Sequence, residues 1–558
     1  MNMKVPNLYE GLSYVKSQVK WGAEPMPPTQ ESNFYELIKE SVRRFPLKTA
    51  LISCERKISY SEMDEMSDKF ATALVDLGVK KGDRVCVMLP GSAQNVIAFH
   101  GVLKVGAILV PVNLMFKAEE LTYVLKDSGA TILIFLDVFH PLIQKIKGNT
   151  GLRHIISVHL ADISEPGSWI PPAMNPEKRA FPDAVDFSNC ISNCPAYPPM
   201  VSINSKEDIA LVIYTAGTSG PPKGVMITHF NMIHANLSHC HPVGICHSDV
   251  NLQILPMFHI GGYYLFLHPT LYKGGTVALM PMFEPTQYLR ILDKYEVNTI
   301  LGIPTMFIGL LNHPDLSKYD LRRLRICIAA GAPVPAEVQK VWIEKTGVEL
   351  TQGWGMTECN AGAIVNVPNK KNASSIGVPT TGEVKIVDPD TREILPIGKP
   401  GEIMYRSPQV AKGYWNKPEE TKEAFQTDGW LRTGDAGYIN EEGFIFFVDR
   451  IKDLIIASGY NISPFDVESS IMKHPGVMEV AVIGVHDEYR GESVKAYVVL
   501  KEGFREKVKP DDIIEYCKEH MATYKVPRLV EFIDTLPKTA IGKVLRRELR
   551  RLEQEKLA

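Results

Sequence analysis

The stretch "IALVIYTAGTSGPPKG", Ile209 to Gly224, joins a continuous apolar run to a loop of glycine, proline, hydroxyl residues and one lysine. The apolar part, 209–215, is rich in β-branched residues and predicts a buried strand. Glycine and small hydroxyl residues after a strand let backbone N–H groups approach phosphate oxygens, and Lys223 adds a compensating positive charge. The G-x-x-x-x-G-K-[ST] spacing of a Walker A loop is absent, so the loop taken alone is equally compatible with a flexible turn.

The chain before this stretch alternates helical and strand patterns. Apolar residues at helical spacing follow Ser61, which we predict to be the helix N-cap, and Gly78 ends the helix. Two apolar runs at 84–90 and 107–112 predict strands, with a helix at 92–105 between them. Such β-α-β order predicts an α/β fold in which helices cover the faces of a parallel sheet.

Length and composition indicate a multidomain soluble protein. A chain of 558 residues exceeds what one hydrophobic core usually supports, so we expect two or more domains. The net charge of -3 carries no signature of polyanion binding, which argues against nucleic acid as a partner. No apolar run reaches the roughly 18 residues that cross a bilayer, and the first residues lack the apolar core of a signal peptide. We therefore predict a cytoplasmic protein.

Two other segments have less specific patterns. His234–His247 holds four histidines and two of the nine cysteines, but its spacing matches no C-x-x-C pairing. We therefore favour a helix with its exit loop over a zinc site, with Thr228 as the helix N-cap. The proline-rich segment 165–200 shows little periodicity and predicts a surface excursion.

Seven motifs in order resemble those of the adenylate-forming superfamily, which includes acyl-CoA synthetases, aryl-CoA ligases, firefly luciferases and the adenylation domains of peptide synthetases. Any one of them is weak, but seven in order along nearly the whole chain are very specific. The motifs are "YTAGTSGPPKG" (214–224), "LPMFHIGG" (255–262), "GAPV" (331–334), "QGWGMTE" (352–358), "GWLRTGD" (429–435), "VDRIKDLIIASGYNISPFDVE" (448–468) and "PKTAIGKVLRREL" (537–549).

The resemblance implies a two-domain architecture and a two-step reaction. A large N-terminal domain of parallel and mixed sheets with helices, 1–449, holds the nucleotide and acyl pockets. A small mobile α+β domain, 450–558, turns about a hinge near Lys452. In the first step a carboxylate attacks the α-phosphorus of ATP and forms an acyl-adenylate, and in the second the thiol of coenzyme A displaces AMP. ATP, Mg²⁺ and coenzyme A are the implied cofactors.

The resemblance also implies the residues of the nucleotide site. Asp435 accepts hydrogen bonds from the ribose hydroxyls with help from Arg450. Trp354 stands where the family usually has tyrosine and stacks on adenine. Glu358 and Thr357 bind Mg²⁺. The full predicted set is Thr215, Thr218, Ser219, Gly220, Lys223, Gly331, Ala332, Pro333, Gln352, Gly353, Trp354, Thr357, Asp435 and Arg450.

Three residues, Lys543, Glu358 and His259, form the predicted catalytic set. Lys543 bridges the substrate carboxylate and the α-phosphate, where its charge helps most in the transition state. His259 is predicted to be a ring that shifts to open the thiol tunnel, with no duty in proton transfer. For coenzyme A the predicted residues are Ser458, Gly459 and Tyr460, and Gly459 lets the pantetheine arm pass close to the backbone.

The predicted acyl pocket is formed by Gly262, Tyr263, Gly355 and Met356. Family members restricted to acetate carry a second tryptophan where this chain has Gly355. An absent indole leaves space for several methylenes or a ring, each methylene contributing about 0.8 kcal/mol when buried. The sequence therefore favours medium-chain, long-chain or aromatic acids over acetate.

Other functions stay open at this stage. The chain could load its acyl group onto the pantetheine of a carrier protein, oxidise an adenylate as luciferases do, or bind a nucleotide without catalysis. Weak contact with a membrane surface through the basic C-terminal helix is an alternative to a simply solvated helix. Monomer and homodimer are both compatible with the sequence.

Overall fold

The computed structural model describes residues 33–175, 177–215, 221–368, 370–457, 460–539 and 544–557. Within these residues the strands form four sheets, three of them before Ile451 and one after Leu454. The two largest sheets are mainly parallel with helices between and around them, and the C-terminal sheet packs with its own helices. The predicted α/β class and the small α+β C-terminal unit are therefore confirmed.

The eight-stranded sheet, counted within the described residues, carries the stretch that opened the sequence. Its strand 209–215 has the predicted bounds and pairs parallel with the strand 108–111. The parallel centre ends in an antiparallel pair at one edge. In spatial order the strands are Gly413–Tyr414, Lys223–Thr228, Ile209–Thr215, Ile108–Pro111, Arg84–Met88, Ile132–Leu136, His154–Val158 and Val185–Asp186.

The nine-stranded sheet, again counted within the described residues, is parallel at its centre and antiparallel at both ends. Three of its strands, 250–253, 326–330 and 351–356, carry or closely precede predicted motifs, so the sheet brings distant parts of the sequence to one edge. In spatial order its strands are Val378–Pro379, Ala361–Val365, Thr351–Met356, Ile326–Ala330, Thr299–Gly302, Val250–Gln253, Thr276–Leu279, Thr49–Ser53 and Arg56–Ser59.

Two antiparallel sheets complete the fold. The four-stranded sheet consists of Glu383–Val387, Gly401–Arg406, Leu431–Ile439 and Ile445–Arg450. The C-terminal sheet consists of Ile455–Ala457, Tyr460–Ile462, Val477–Asp487, Gly491–Leu500 and Leu529–Phe532. Because the last strand of the first sheet ends at Arg450, the chain passes between the two sheets through a short turn, 451–453.

The helices cover the sheets and bury their apolar faces. The helix 93–104 is buried along nearly its whole length because it is packed inside the main core. None of the helices in the described part of the chain combines the length and apolarity needed to span a bilayer. The helices are Tyr35–Arg44, Tyr60–Asp76, Ala93–Lys104, Ala118–Ser128, His140–Lys147, Phe187–Asn193, His229–Val243, Ile260–Tyr264, Leu267–Tyr272, Pro285–Lys294, Pro304–Leu311, Ala336–Thr346, Pro418–Ala424, Pro464–Ile471, Pro510–His520 and Arg546–Leu557.

Two local predictions were wrong. The helix predicted to start at Ser61 is capped by Ser59, which forms a capping box with Glu62, and Ser61 lies within its first turn. The proline-rich segment 165–200 is not wholly a surface excursion, because it supplies an edge strand and a short helix. Phe187 at the start of that helix is buried against Phe70, with 4.7 Å between the ring centroids.

Candidate active site

The glycine-rich loop is the tip of a β-hairpin. Strands 209–215 and 223–228 pair antiparallel across it, and Thr228 then caps the helix 229–243 as predicted. The strand after the loop was not predicted. Because of that strand, the chain after the loop enters a second β-strand and does not directly enter a helix N-terminus. The predicted phosphate-binding residues Thr218, Ser219 and Gly220 lie outside the described residues.

Lys223 and Glu358 lie on either side of Tyr414. The ammonium group of Lys223 lies 5.1 Å from the centroid of the Tyr414 ring, and the Tyr414 hydroxyl donates to Glu358 Oε1 at 2.8 Å. Burial and the Glu358 charge raise the pKa of Tyr414, so its hydroxyl stays protonated and donates. Tyr414 belongs to the edge strand beside 223–228 and to none of the seven motifs, so sequence reasoning missed it.

Glu358 and Thr357 fit the magnesium ion that the resemblance implies. Both residues belong to the 3₁₀ turn 357–359 and are at least nine-tenths buried. The Tyr414 hydroxyl binds Glu358 Oε1, so Oε2 is the oxygen that would ligate the ion. A carboxylate and a hydroxyl are hard oxygen donors of the kind that Mg²⁺ prefers together with phosphate oxygens.

Trp354, Asp435 and Arg450, predicted from three separate motifs, come together in the structure. The indole Nε1 of Trp354 donates to Asp435 Oδ2 at 2.8 Å, and Arg450 Nε lies 3.6 Å from Asp435 Oδ1. Asp435 and Arg450 are register partners on adjacent antiparallel strands. The tryptophan therefore orients the acid predicted to bind ribose, a link that the sequence did not indicate.

Gln352 connects two further motifs. Its side-chain oxygen accepts a hydrogen bond from the backbone N–H of Val334 at 2.9 Å, which ties the "GAPV" loop to the strand 351–356. Gly331 adopts φ +86°, a left-handed conformation that favours glycine. Gly331 and Ala332 are exposed and Pro333 is half-buried, so this loop presents backbone to an incoming ligand.

A cavity that opens to solvent lies beside Trp354, and its empty space together with the solvent at its mouth is about 670 Å³. Its wall is mainly apolar and comes from three of the motifs, from the helix 229–243 and from the strands 299–302, 326–330 and 361–365. The described residues that line it are His239, Leu255, Pro256, His259, Ile260, Gly261, Leu265, Leu301, Ile303, Ile328, Ala330, Gly331, Gly353, Trp354, Gly355, Ala361, Gly362 and Val365.

The cavity wall differs in part from the predicted acyl pocket. Gly355 lines it, but Gly261 stands in the wall where Gly262 was predicted, and Met356 is outside the set of lining residues. Tyr263 lies behind the wall. It is fully buried, and its hydroxyl donates to Asn95 Oδ1 at 3.1 Å.

The size argument built on Gly355 needs correction. A Cβ atom at this position would lie 1.7 Å from the carbonyl oxygen of Ala361 on the paired strand. The register between the strands shifts at this point, between Trp354 and Gly355. Glycine is therefore needed for the close approach of two backbones, and its missing side chain would not point into open cavity space.

His259 lines the cavity and caps the short helix 260–264. Its Nδ1 accepts a hydrogen bond from the backbone N–H of Gly261 at 3.2 Å. In this state the ring is held by the helix that it caps. A movement of the ring, as predicted for the opening of a thiol tunnel, would exchange this bond for another.

The predicted hinge lies where the four-stranded and C-terminal sheets meet. Burial lowers the pKa of Lys452, and the neighbouring Arg450 cation lowers it further. Asp449 Oδ2, on the last strand of the four-stranded sheet, accepts from Ser463 Oγ at 3.2 Å. Arg546 Nη1 lies 3.7 Å from Asp449 Oδ1. Groups that follow the predicted hinge therefore converge on an acid that precedes it.

The remaining predicted residues fall in or beside undescribed segments. Lys543, Ser458 and Gly459 lie outside the described residues. Tyr460 is 54% exposed, and its ring stacks on Tyr524 with 4.6 Å between the centroids. The His234–His247 segment is the predicted helix and exit loop, and within the described residues no group of three histidine, cysteine or acidic side chains is arranged to hold a metal.

Comparison with known proteins gives the class of this site. Residues 38–415 match the family described as AMP-binding enzyme, and residues 466–543 match the AMP-binding enzyme C-terminal domain. A long-chain-fatty-acid–CoA ligase of Bacillus subtilis (strain 168) is 37% identical over 97% of this chain and 99% of its own. The chain therefore belongs to the AMP-binding enzymes, which confirms the resemblance.

Solved structures agree on the fold and on the reaction. The crystal structure of the anthranilate CoA ligase AuaEII in complex with anthranoyl-AMP has a TM-score of 0.86 and 30% identity, covering 95% of this chain and 98% of that one. ATP-bound MatB from Rhodopseudomonas palustris has a TM-score of 0.85 and 28% identity, covering 95% and 100% of the two chains. The protein is an AMP-forming acyl-CoA synthetase, which uses ATP, Mg²⁺ and coenzyme A to convert an acid into its thioester.

Proposed function

We propose that this synthetase activates medium-chain and long-chain fatty acids, with aromatic acids as the next class. The observation that carries the proposal is the cavity beside the Trp354–Asp435 pair, whose wall is mainly aliphatic. An aliphatic wall gains about 0.8 kcal/mol for each methylene that it buries, so longer apolar acids are favoured over acetate. The name of the Bacillus subtilis relative supports the same substrate class.

Within this proposal the nucleotide lies between two groups of residues. Asp435, oriented by Trp354 and Arg450, binds the ribose hydroxyls. Lys223, the first residue of the strand 223–228, is the cation proposed to compensate phosphate charge. Glu358 and Thr357 hold Mg²⁺, which when bound screens phosphate charge from the attacking carboxylate. The carboxylate enters from the apolar cavity, and Lys543 is the cation proposed to bridge it to the α-phosphate.

We also propose that residues 450–558 rotate as a unit about Lys452 between the two steps. Asp449 supports this proposal because groups beyond the hinge, Ser463, Phe465 and Arg546, converge on its carboxylate. A rotation about Lys452 would exchange these contacts for others. Arg546 also holds Glu468 through bonds of 2.7 and 2.9 Å, so the segment after Lys543 is anchored to the helix 464–471.

A cytoplasmic location without membrane anchorage is part of the proposal. The basic residues of the C-terminal helix are engaged in ion pairs with neighbouring acids. Arg546 pairs with Glu468, Arg550 with Asp453 and Arg551 with Glu555. Arginines held in this way favour a helix that packs on its own domain over one that binds anionic lipids.

The experiment is a panel of acids incubated with the protein, ATP, Mg²⁺ and coenzyme A while AMP release is followed. Saturated acids from acetate to palmitate, together with benzoate, cover the proposed classes. We expect kcat/KM to rise at least 100-fold from acetate to an optimum at eight carbons or longer, since burial of only four of the six methylenes that octanoate adds contributes about 3 kcal/mol.

Two outcomes would contradict the proposal. AMP release that needs an acyl carrier protein in place of coenzyme A would indicate a carrier-loading enzyme. A maximum of kcat/KM at acetate or propionate would mean that the apolar cavity does not bind the acyl chain. The variant Asp435→Asn, assayed in parallel, is a control on the nucleotide site. It should raise the KM for ATP with every acid that the wild-type protein uses, whichever acid is preferred.

A further inference from the structure

The acyl cavity contains one polar side chain that the proposed reaction does not use. His239, on the helix 229–243, lines the cavity and is only 1% exposed. Its Nε2 is buried and has no hydrogen-bond partner in the described residues. The other histidine of the wall, His259, is engaged as a helix cap. A buried imidazole nitrogen without a partner carries a free-energy cost that a suitable ligand would remove.

The position of the His239 ring is fixed by its neighbours. Gly362, also in the cavity wall, would place a Cβ atom 2.1 Å from His239 Cε1, so the ring is pressed against backbone at a position that only glycine allows. Asn236 lies one turn earlier on the same helix face and is fully buried. Neither atom of its side-chain amide has a hydrogen-bond partner within the described residues. Two unpaired polar groups thus occupy one face of this helix.

The charge of His239 decides which ligand group it can bind. Burial lowers the pKa of His239 to about 4, so the ring is neutral at pH 7. A neutral imidazole can exchange one hydrogen bond with an uncharged group, but it cannot neutralise a second carboxylate. The surrounding wall is aliphatic and would desolvate such a charge without compensation.

We infer that His239 forms a polar subsite within the acyl pocket, and that the preferred acid is an apolar chain or ring carrying a hydroxyl group that reaches this imidazole. The inference rests on the proposed function of the cavity as the acyl site. A plain alkyl chain fills the same space but leaves the imidazole nitrogen unpaired. A site built around a hydrogen bond discriminates against the analogue that lacks it more strongly than a hydrophobic pocket discriminates by size.

The test compares each plain acid with its hydroxylated partners. Octanoate and decanoate are assayed beside their monohydroxy isomers from the 2-position to the terminal carbon, and kcat/KM is measured by AMP release. We expect one or two adjacent positions to exceed the plain acid by about 10-fold or more, and the remaining positions to fall below it. No preferred position on either chain would overturn the inference.

Two variants test whether a preference for hydroxylated acids depends on His239. In His239→Leu the ratio of hydroxylated to plain acid should fall at least 10-fold, and in His239→Gln, which keeps a hydrogen-bonding side chain, it should be partly retained. His234→Leu is the matched control, because His234 lies on the same helix but packs on Phe230 with 4.2 Å between the ring centroids. The control should leave the ratio unchanged. A ratio that survives His239→Leu would overturn the inference.

Failure of the inference and failure of the proposed function give different results. If no acid of either series releases AMP, the proposed function fails. If plain acids are used and no hydroxylated isomer is preferred, only the polar subsite fails. A preference for the dicarboxylate of the same length would also overturn the subsite, because it would require a charged partner at His239.

Discussion

Trp354 connects the acyl cavity with the nucleotide site. Its ring lines the acyl cavity, and its indole N–H donates to Asp435, the proposed ribose ligand. Trp354→Phe keeps an aromatic face but removes this donor. Because a hydrogen bond to a charged group contributes about 1.5–3 kcal/mol, we expect the KM for ATP to rise about 10-fold or more. Steady-state kinetics at saturating acid measure this change.

The control for Trp354→Phe is Trp430→Phe. Trp430 packs under Lys385 and Arg406 on the four-stranded sheet, so its replacement removes an indole of equal size at a different location. The KM for ATP should stay within about 2-fold of wild type in this variant. An unchanged KM in Trp354→Phe would mean that the bond to Asp435 does not orient the acid for the nucleotide.

The sequence predicted those site residues whose motifs are specific and missed those whose contacts depend on the fold. Trp354, Asp435 and Arg450 each stand in a recognised motif, and their convergence follows from the order of the strands. Tyr414 stands in no motif and reaches Glu358 only because an edge strand pairs beside the hairpin. Such long-range pairing has no signal in local periodicity.

At the scale of elements, the pair of strands 351–356 and 361–365 depends on Gly355. Because a Cβ atom there would overlap the carbonyl of Ala361, Gly355→Ala should push the strands apart and lower the free energy of unfolding by about 3 kcal/mol. Gly355→Trp should destabilise more and should not produce a simple shift toward short acids. Urea unfolding at pH 7, with the chain-length profile measured beside it, tests both statements.

Gly353→Ala on the same strand is the matched control for stability. A Cβ atom at Gly353 would lie 3.2 Å from Cγ1 of the Val365 side chain, a much smaller overlap than the 1.7 Å approach to backbone at Gly355. We expect a loss of less than about 1 kcal/mol. Equal losses in the two variants would show that the sheet tolerates a side chain at Gly355, and the explanation from backbone contact would then be incorrect.

The elements that the sequence predicted are those with long apolar patterns. Strand 209–215 and helix 93–104 lie at or within two residues of their predicted ends. The strand 223–228 was missed because its pattern continues into a helix without a break. The edge strand 185–186 contains only two residues, too few to show an alternation. Pairing with neighbouring strands, and not local propensity, determines both.

At the scale of the whole molecule, the order of motifs predicted the fold class and the separate C-terminal unit. The division at residues 449 and 450 stays a prediction, since the two family matches leave that boundary between them. The polar face at Asn236 and His239 could not be derived from sequence, because helical spacing places residues on a face but does not show what that face contacts.

Buried histidines give the molecule a definite response to acid. Burial lowers the pKa of six described histidines: those of His229, His234 and His239 to about 4, that of His268 to about 3, that of His100 well below its usual value, and that of His474 below its usual value. The unfolded chain therefore binds more protons than the folded protein below about pH 6.5. The histidine contribution to stability should be constant above this pH and fall as pH decreases toward 4, with each fully buried histidine contributing up to about 1.4 kcal/mol per pH unit.

Urea unfolding at pH 7, 6 and 5 measures this slope, and two variants attribute it. His234→Gln removes one half-buried imidazole and should flatten the slope by up to about 1 kcal/mol per pH unit between pH 6 and 5. His486→Gln replaces an exposed histidine on the C-terminal sheet and should leave the slope as it is. A slope that is flat in wild type would mean that the buried rings take up protons in the folded state, which the apolar surroundings of His100 and His268 oppose.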